Sequence, residues 1–217
     1  MSKTALIAGA TGLIGSKLLQ LLLEDSTYGK IVVLSRKPLD RQDEKLKSVI
    51  TDFKKLDEVS DILTADHIFC CLGTTMKKAG SKDKFRKVDY DYPLKLAEIT
   101  KKGGAQKYLL VSAMGASKKS SVFYNQVKGE VEEAIEKVNF NAFHIFRPSL
   151  LLGPRNEARA GEDAAKTFFK IFGFLFVGPL KKYKAIDSDK VARAMLSFAR
   201  EETKGKQIHE SLELQKY

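Results

Sequence analysis

Cysteine is nearly absent. The chain carries two, Cys70 and Cys71, side by side in an apolar run. Neighbouring side chains on an extended strand point to opposite faces, so a disulfide between them would be strained. They lack metal-site spacing and read as two small buried hydrophobes. That usage fits a reducing compartment, and the expected location is cytoplasmic. Histidine is scarce too. His67, His144 and His209 lie far apart, mostly within strand patterns, so structural roles outweigh ligation and no metal is expected. No run of roughly 18 apolar residues occurs, so no spanning helix is expected. The first apolar stretch, Ala5 to Ala10, is short and the glycine turn interrupts it, unlike a secretory signal. Internal repeats and low-complexity linkers are missing as well.

What is present is ordinary for a globular protein: 217 residues, 43% hydrophobic and 30% charged. That length fits one domain, 1–217, able to bury a sizeable core unaided. The net charge is +11. A basic chain can meet nucleic acid, an anionic membrane or an anionic ligand. Here the lysines are spread along the sequence, with pairs at Lys77-Lys78, Lys101-Lys102, Lys118-Lys119 and Lys181-Lys182 in expected loops or helix ends. A solvated surface that attracts a phosphorylated cofactor is favoured over nucleic-acid binding.

Short apolar runs alternate with helical stretches. Strands are predicted at Thr4–Ala8, Ile31–Leu34, Ser48–Thr51, His67–Leu72, Tyr108–Ser112 and Ala142–Phe146. Helices are predicted at Gly12–Glu24, Leu56–Leu63, Val88–Lys102, Tyr124–Val138 and Ser188–Arg200, with a short strand within Gln207–Leu214. Strands that lack polar alternation and alternate with helices indicate a parallel sheet covered on both faces. The expected architecture is α/β, a doubly wound parallel sheet of the Rossmann kind. Residues 153–185 break the rhythm and are expected to form a small C-terminal cap over the carboxyl ends of the strands.

The first strand runs into Gly9-Ala10-Thr11-Gly12-Leu13-Ile14-Gly15. Gly9 permits the tight turn, Gly12 lets the backbone approach a pyrophosphate, and Gly15 lets the helix pack close to the sheet. The helix N-terminus then offers free N–H groups to phosphate. Position between a strand and a helix is what makes this glycine pattern specific. At the end of the second strand stand Arg36 and Lys37, where an NAD-binding chain usually carries an acid for the ribose 2′-hydroxyl. Arg36 suits a 2′-phosphate. NADP(H) is therefore expected over NAD(H). Asp52-Phe53 follows the third strand; the Asp52 carboxylate either accepts from the adenine amino group or caps the next helix.

Tyr124 and Lys128 are four residues apart, one turn along one helix face. A nearby ammonium favours the ionised form of a phenol, and a lysine there can also reach a cofactor ribose. Ser112 ends the fifth strand, at the edge where ligands sit in such sheets, placed to hold a carbonyl oxygen while Tyr124 donates a proton.

With these residues the chain resembles the short-chain dehydrogenase/reductases, in their extended or atypical branch. The resemblance covers nearly the whole chain. It rests on the glycine turn, Ser112-Ala113-Met114-Gly115, Tyr124-Asn125-Gln126-Val127-Lys128, the segment Phe146 to Pro154, similar to the one that passes the nicotinamide, and Ile186 to Ala192. Three further stretches, Leu110 to Ala116, Gln126 to Glu132 and Arg155 to Glu162, look like the Tat-interacting-protein oxidoreductase group. That resemblance implies an NADPH site firmly and a reaction loosely. Motif and resemblance together give a cofactor-binding set of Gly9, Thr11, Gly12, Leu13, Ile14, Gly15, Arg36, Lys37, Asp52, Phe53, Leu72, Gly73, Thr74, Lys128 and Pro148, and a catalytic set of Ser112, Tyr124 and Lys128. Two departures stand out. Asp89 occupies the place of an asparagine in many better-known members, and the loop after the fourth strand reads Cys71-Leu72-Gly73-Thr74-Thr75.

The leading expectation is an NADP(H)-dependent oxidoreductase acting on a carbonyl or alcohol of a small-molecule substrate. An NADP(H)-binding regulator or scaffold with little turnover is the alternative, and an epimerase or dehydratase a weaker one. The phenylalanine-rich residues 167–180 read as cap packing or a dimer face, a lid over an apolar substrate, or, less favoured, a peripheral membrane contact. Arg155 is a candidate for an anionic substrate group and Arg147 for support of the core. The resemblance also makes a homodimer through the Tyr124 helix an option.

Overall fold

A computed structural model describes residues 2–152 and 184–217. The expected cap, with Arg155, the phenylalanine-rich stretch and Lys181-Lys182, lies outside the described residues.

The backbone forms a seven-stranded parallel sheet. Its strands are β1 (Lys3–Ala8), β2 (Tyr28–Ser35), β3 (Leu46–Ile50), β4 (His67–Cys70), β5 (Lys107–Val111), β6 (Ala142–Arg147) and a last strand, Gly205–Glu210. Leu151–Leu152 (β7) and Ile186–Asp187 (β8) pair as a separate ribbon, so the last strand is β9. The order is β3-β2-β1-β4-β5-β6-β9. It winds outward in both directions from β1, which puts a crevice where the order reverses, beside β1 and β4.

Both faces of the sheet are buried, and that explains the unbroken apolar runs. Ile7, Phe69 and Leu109 face one layer, with Leu18 and Leu22 of α1 (Leu13–Glu24) and Val191 and Met195 of α6 (Ser188–Arg200). Their sequence neighbours Leu6, Ile68 and Leu110 face the other, against Leu96 of α4 (Tyr92–Lys102) and Val131 and Ile135 of α5 (Phe123–Glu136). With successive side chains on opposite faces, each layer takes every second residue.

Several elements differ from the sequence pattern. The helix predicted over Leu56–Leu63 is a 3-10 helix beginning at Phe53. Two short helices, α2 (Met76–Ala79) and α3 (Lys82–Arg86), follow β4. The helix predicted from Val88 opens with a π-helical turn, Lys87–Asp91, before α4. The final strand stops at Glu210, and Ser211–Leu214 is a helical turn, α7. The reason lies in the partner strand: the last register pair is Arg147↔Glu210, and Pro148 beyond it has no N–H to continue the ladder.

The three histidines are built into the structure. His67 Nδ1 pairs with the Tyr28 hydroxyl at 2.8 Å. His144 Nδ1 lies 3.0 Å from His209 Nε2, with Thr203 Oγ1 2.9 Å from the other His144 nitrogen and Glu213 Oε2 3.2 Å from the other His209 nitrogen. Burial, then the neighbouring His209 and Lys107, push His144 down to about 4.

Candidate nucleotide-binding and active site

The glycine turn closes against the neighbouring strand. Gly9 sits at φ +86°, and a Cβ there would lie 2.6 Å from the Cys71 carbonyl oxygen. A Cβ on Gly15 would lie 2.1 Å from the Gly9 carbonyl oxygen, so α1 can pack this closely only with glycine at that position. Gly12 is the N-cap of α1 and makes no side-chain cap hydrogen bond, and the first turn holds no acid. The contrast with other helical segments is informative. Asp52, Thr75, Ser81 and Asp187 each cap their own helix through the side chain. At α1 the first-turn N–H groups have no side-chain acceptor among the described residues, and an anion can take that place. Thr11 and Gly12 are exposed at this mouth, Leu13 is half-buried, and Ile14 is turned into the core, where it can offer a ligand only its backbone. The cradle fits a dinucleotide pyrophosphate.

Arg36 and Lys37 are exposed just past β2, where Ser35 Oγ donates to the Lys37 carbonyl at 2.7 Å and shapes the turn. Asp52 does what the capping alternative required: its carboxylate accepts from Lys54 N–H at 3.1 Å. Phe53 stacks on Tyr92, centroids 5.7 Å apart. Burial, with the carboxylates of Asp52 and Asp91, pushes the Tyr92 phenol up, and Arg36 opposes it. Arg36, Asp52, Phe53 and Tyr92 thus gather at one corner of the crevice. Tyr92 had no signal in the local pattern.

Deeper in, Lys128 Nζ stands 2.8 Å from Asp89 Oδ1, with the two side chains 5% and 1% exposed. Asp89 hangs from the turn Lys87–Asp91, and its other oxygen accepts from Thr74 N–H at 2.9 Å. A second Lys128 contact is the Val111 carbonyl, 3.5 Å away. Burial pushes Lys128 down, but Asp89, with a contribution from Tyr124, outweighs it and holds the ammonium above its ordinary range. Gly73 lies over the pair: a Cβ there would sit 3.5 Å from Asp89 Oδ1 and 3.9 Å from Lys128 Nζ. Leu72 packs against the α4–α5 layer. Tyr124, in the first turn of α5, is half-buried with its ring 5.6 Å from that of Phe85.

Ser112 is directed elsewhere. Its hydroxyl donates to Glu132, one turn beyond Lys128 on α5. Glu132 also takes Arg147 on both oxygens, at 3.1 Å from Nε and 2.5 Å from Nη2, and Arg147 Nη1 reaches Glu210 at 3.1 Å. The pattern of the sequence did not reveal this network, and an acid among the apolar residues of the inner face of α5 was its one trace. Pro148 is buried beyond β6, its carbonyl accepting from Met114 N–H at 3.0 Å. Because β1, β4, β5 and β6 are adjacent, their carboxyl ends bring the glycine turn, Gly73, Ser112 and Pro148 to one edge of the sheet.

A parallel sheet wound in this order, with a glycine turn opening onto an uncapped helix, defines a Rossmann-type dinucleotide-binding protein. The chain belongs to the NAD(P)H-binding family, which matches residues 9–169, and within it to the Tat-interacting-protein oxidoreductase-like group of the short-chain dehydrogenase/reductases. It is 42% identical to Protein HTATIP2 of Rattus norvegicus over 172 residues, 77% of this chain and 71% of that one. It is 36% identical to Protein FMP52, mitochondrial, of Candida albicans over 193 residues, 86% and 84% of the two chains. Among solved structures, WbmH of Bordetella bronchiseptica in complex with NAD+ superposes with a TM-score of 0.73 at 16% identity, covering 97% of this chain and 76% of that one. UDP-glucose 4-epimerase of Thermotoga maritima with UDP-glucose gives 0.69 at 17%, covering 94% and 75%. At such identities these two share the fold alone.

Proposed function

We propose that the protein is an NADP(H)-dependent oxidoreductase that interconverts a carbonyl and an alcohol on a small molecule. The observation that carries this reading is the buried Lys128–Asp89 pair under Gly73, with Tyr124 one helical turn away, at the sheet edge that also bears the glycine turn. Two exposed cations and no acid at the end of β2 favour NADP(H) over NAD(H). The nicotinamide, when bound, supplies or accepts the hydride. Tyr124 gives a proton to the carbonyl oxygen or takes it from the alcohol. Lys128 faces Asp89 as an ion pair and donates to the Val111 carbonyl, which leaves N–H capacity for a ribose hydroxyl. Ser112 has a single proton, which lies on Glu132, so toward the site it offers lone pairs. It can accept from an alcohol, and to hold a carbonyl oxygen its hydroxyl must turn.

That engagement of Ser112 favours a second reading, an NADP(H)-binding regulator with little turnover. Calorimetric titration with NADPH and NADH, repeated on Arg36→Ala, tests the common ground. NADPH should bind tighter, and the variant should lose about tenfold or more for NADPH alone. If neither nucleotide binds, both readings fall. NADPH consumption across a carbonyl panel then separates them: turnover favours the oxidoreductase, whereas its absence, with partner capture that differs between NADP and NADPH, favours the regulator.

A further inference from the structure

The position that departs from the better-known dehydrogenases is also the most deeply buried acid of the site. Asp89 is 1% exposed and sits in a π-helical turn, a local irregularity frequent at functional sites. Both its oxygens are engaged, one by a backbone N–H and one by the Lys128 ammonium. An ammonium in an interior of low polarity needs a counter-charge or it sheds its proton. Among the described residues, the groups that face Lys128 are few. β4 contributes the Cys70 thiol, α5 the Tyr124 phenol, β5 the Val111 carbonyl and the turn before α4 the Asp89 carboxylate. Of these, Asp89 is the group that can carry the negative charge at neutral pH. An asparagine in its place could accept from Thr74 N–H or from Lys128, but its single carbonyl oxygen leaves an NH2 against the other donor.

We propose that Asp89 is a positioning residue of the reaction site: suspended from Thr74 N–H, its carboxylate fixes Lys128 Nζ beneath Gly73 and supplies the counter-charge that a buried ammonium needs. Its role in turnover rests on the oxidoreductase reading, while its charge-holding role does not. In this arrangement Lys128 stays protonated with or without nucleotide, and its remaining N–H is aimed before the ribose arrives.

The test compares the full chain with Asp89→Asn in two ways. The first needs no nucleotide. Thermal midpoints are measured from neutral to alkaline pH. The variant leaves a buried ammonium without its counter-charge, a defect that vanishes once that lysine loses its proton. The gap to wild type should therefore shrink as pH rises. A gap that stays constant overturns the proposal, because a merely structural hydrogen bond would cost the same throughout. The second measurement is the NADPH dissociation constant over the same range. Wild type should be level, whereas the variant should weaken by about tenfold per pH unit once Lys128 discharges. Parallel profiles overturn it. If Asp89→Asn does not fold, Asp89→Asn/Lys128→Met decides: recovery of folded protein supports the counter-charge, and continued failure overturns it. Absence of NADPH consumption in wild type, with both charge readouts as expected, removes the oxidoreductase reading and leaves Asp89's role standing. Turnover with parallel profiles does the reverse.

Discussion

Two buried charge pairs sit one turn apart on α5, and they are built differently. Lys128–Asp89 joins a compact ammonium to a carboxylate, the side chains 5% and 1% exposed. Arg147–Glu132 joins a flat guanidinium to a carboxylate, 19% and 6% exposed. In the second pair three of the five guanidinium N–H groups are taken, Nε and Nη2 on Glu132 and Nη1 on Glu210, and Glu132 also receives Ser112. In the first, Lys128 keeps a donor in reserve and glycine lies above it. Burial alone thus does not separate a site from a scaffold. The exposed Gly73 backbone over Lys128 does.

The comparison breaks most readily at Tyr124. Tyr124→Phe removes the proton donor beside the unsatisfied pair and should lower turnover by about 10²- to 10⁴-fold, with NADPH affinity by calorimetry nearly unchanged. Survival of turnover would place the chemistry elsewhere. On the other side, Glu132→Ala removes the acceptor of Ser112 and of two Arg147 hydrogen bonds, leaves Arg147 with Glu210, and should cost about 3–5 kcal/mol in urea unfolding. NADPH affinity of the folded variant should stay close to wild type, and a matching loss of affinity would merge the two pairs into one functional unit.

The histidine chain at the far edge of the sheet gives a third contrast, charge kept out rather than held in. His144 is pushed from its ordinary 6.5 down to about 4, so the unfolded chain takes up the proton first. Its contribution is fully present above pH 6.5 and is lost as pH falls through about 4, on the order of 3 kcal/mol. Chemical denaturation from neutral to mildly acidic pH should show this decline, and His144→Asn should make it shallower, with His67 and His209, also pushed down by burial, supplying the rest. The smallest effect is expected at Ser112. Ser112→Ala should lose about 1.5–3 kcal/mol, the range for a hydrogen bond to a charged group, and leave turnover within about tenfold if its proton stays on Glu132. A larger loss of turnover would return Ser112 to the carbonyl.

Much of this was legible in the chain. Buried parallel strands need continuous apolar runs, so β1, β4, β5 and β6 stood out, and the glycine turn marked the start of α1. The helices α2 and α3 did not, because four or five lysine-rich residues span too little of a helical period to show one. The pairing of Lys128 with Asp89 and of Glu132 with Arg147 was not legible either, for a different reason. Lys128 and Asp89 lie on separate crossovers, and Glu132 on α5 pairs with the last residue of β6, so only the assembled sheet brings the partners together. Asp89 was visible as a departure from a family pattern, but its partner was not.

That last point bears on how the protein is made. As the chain leaves the ribosome, the glycine turn and Asp89 emerge before Lys128. Until α5 docks, the Asp89 carboxylate remains hydrated and costs nothing. Docking strips water from both members of the pair at once, and neither charge can be buried alone without penalty. Seating of α5 is thereby an all-or-none event, and a half-made chain that holds a phosphate-binding turn still has no finished pocket in which to trap a nucleotide.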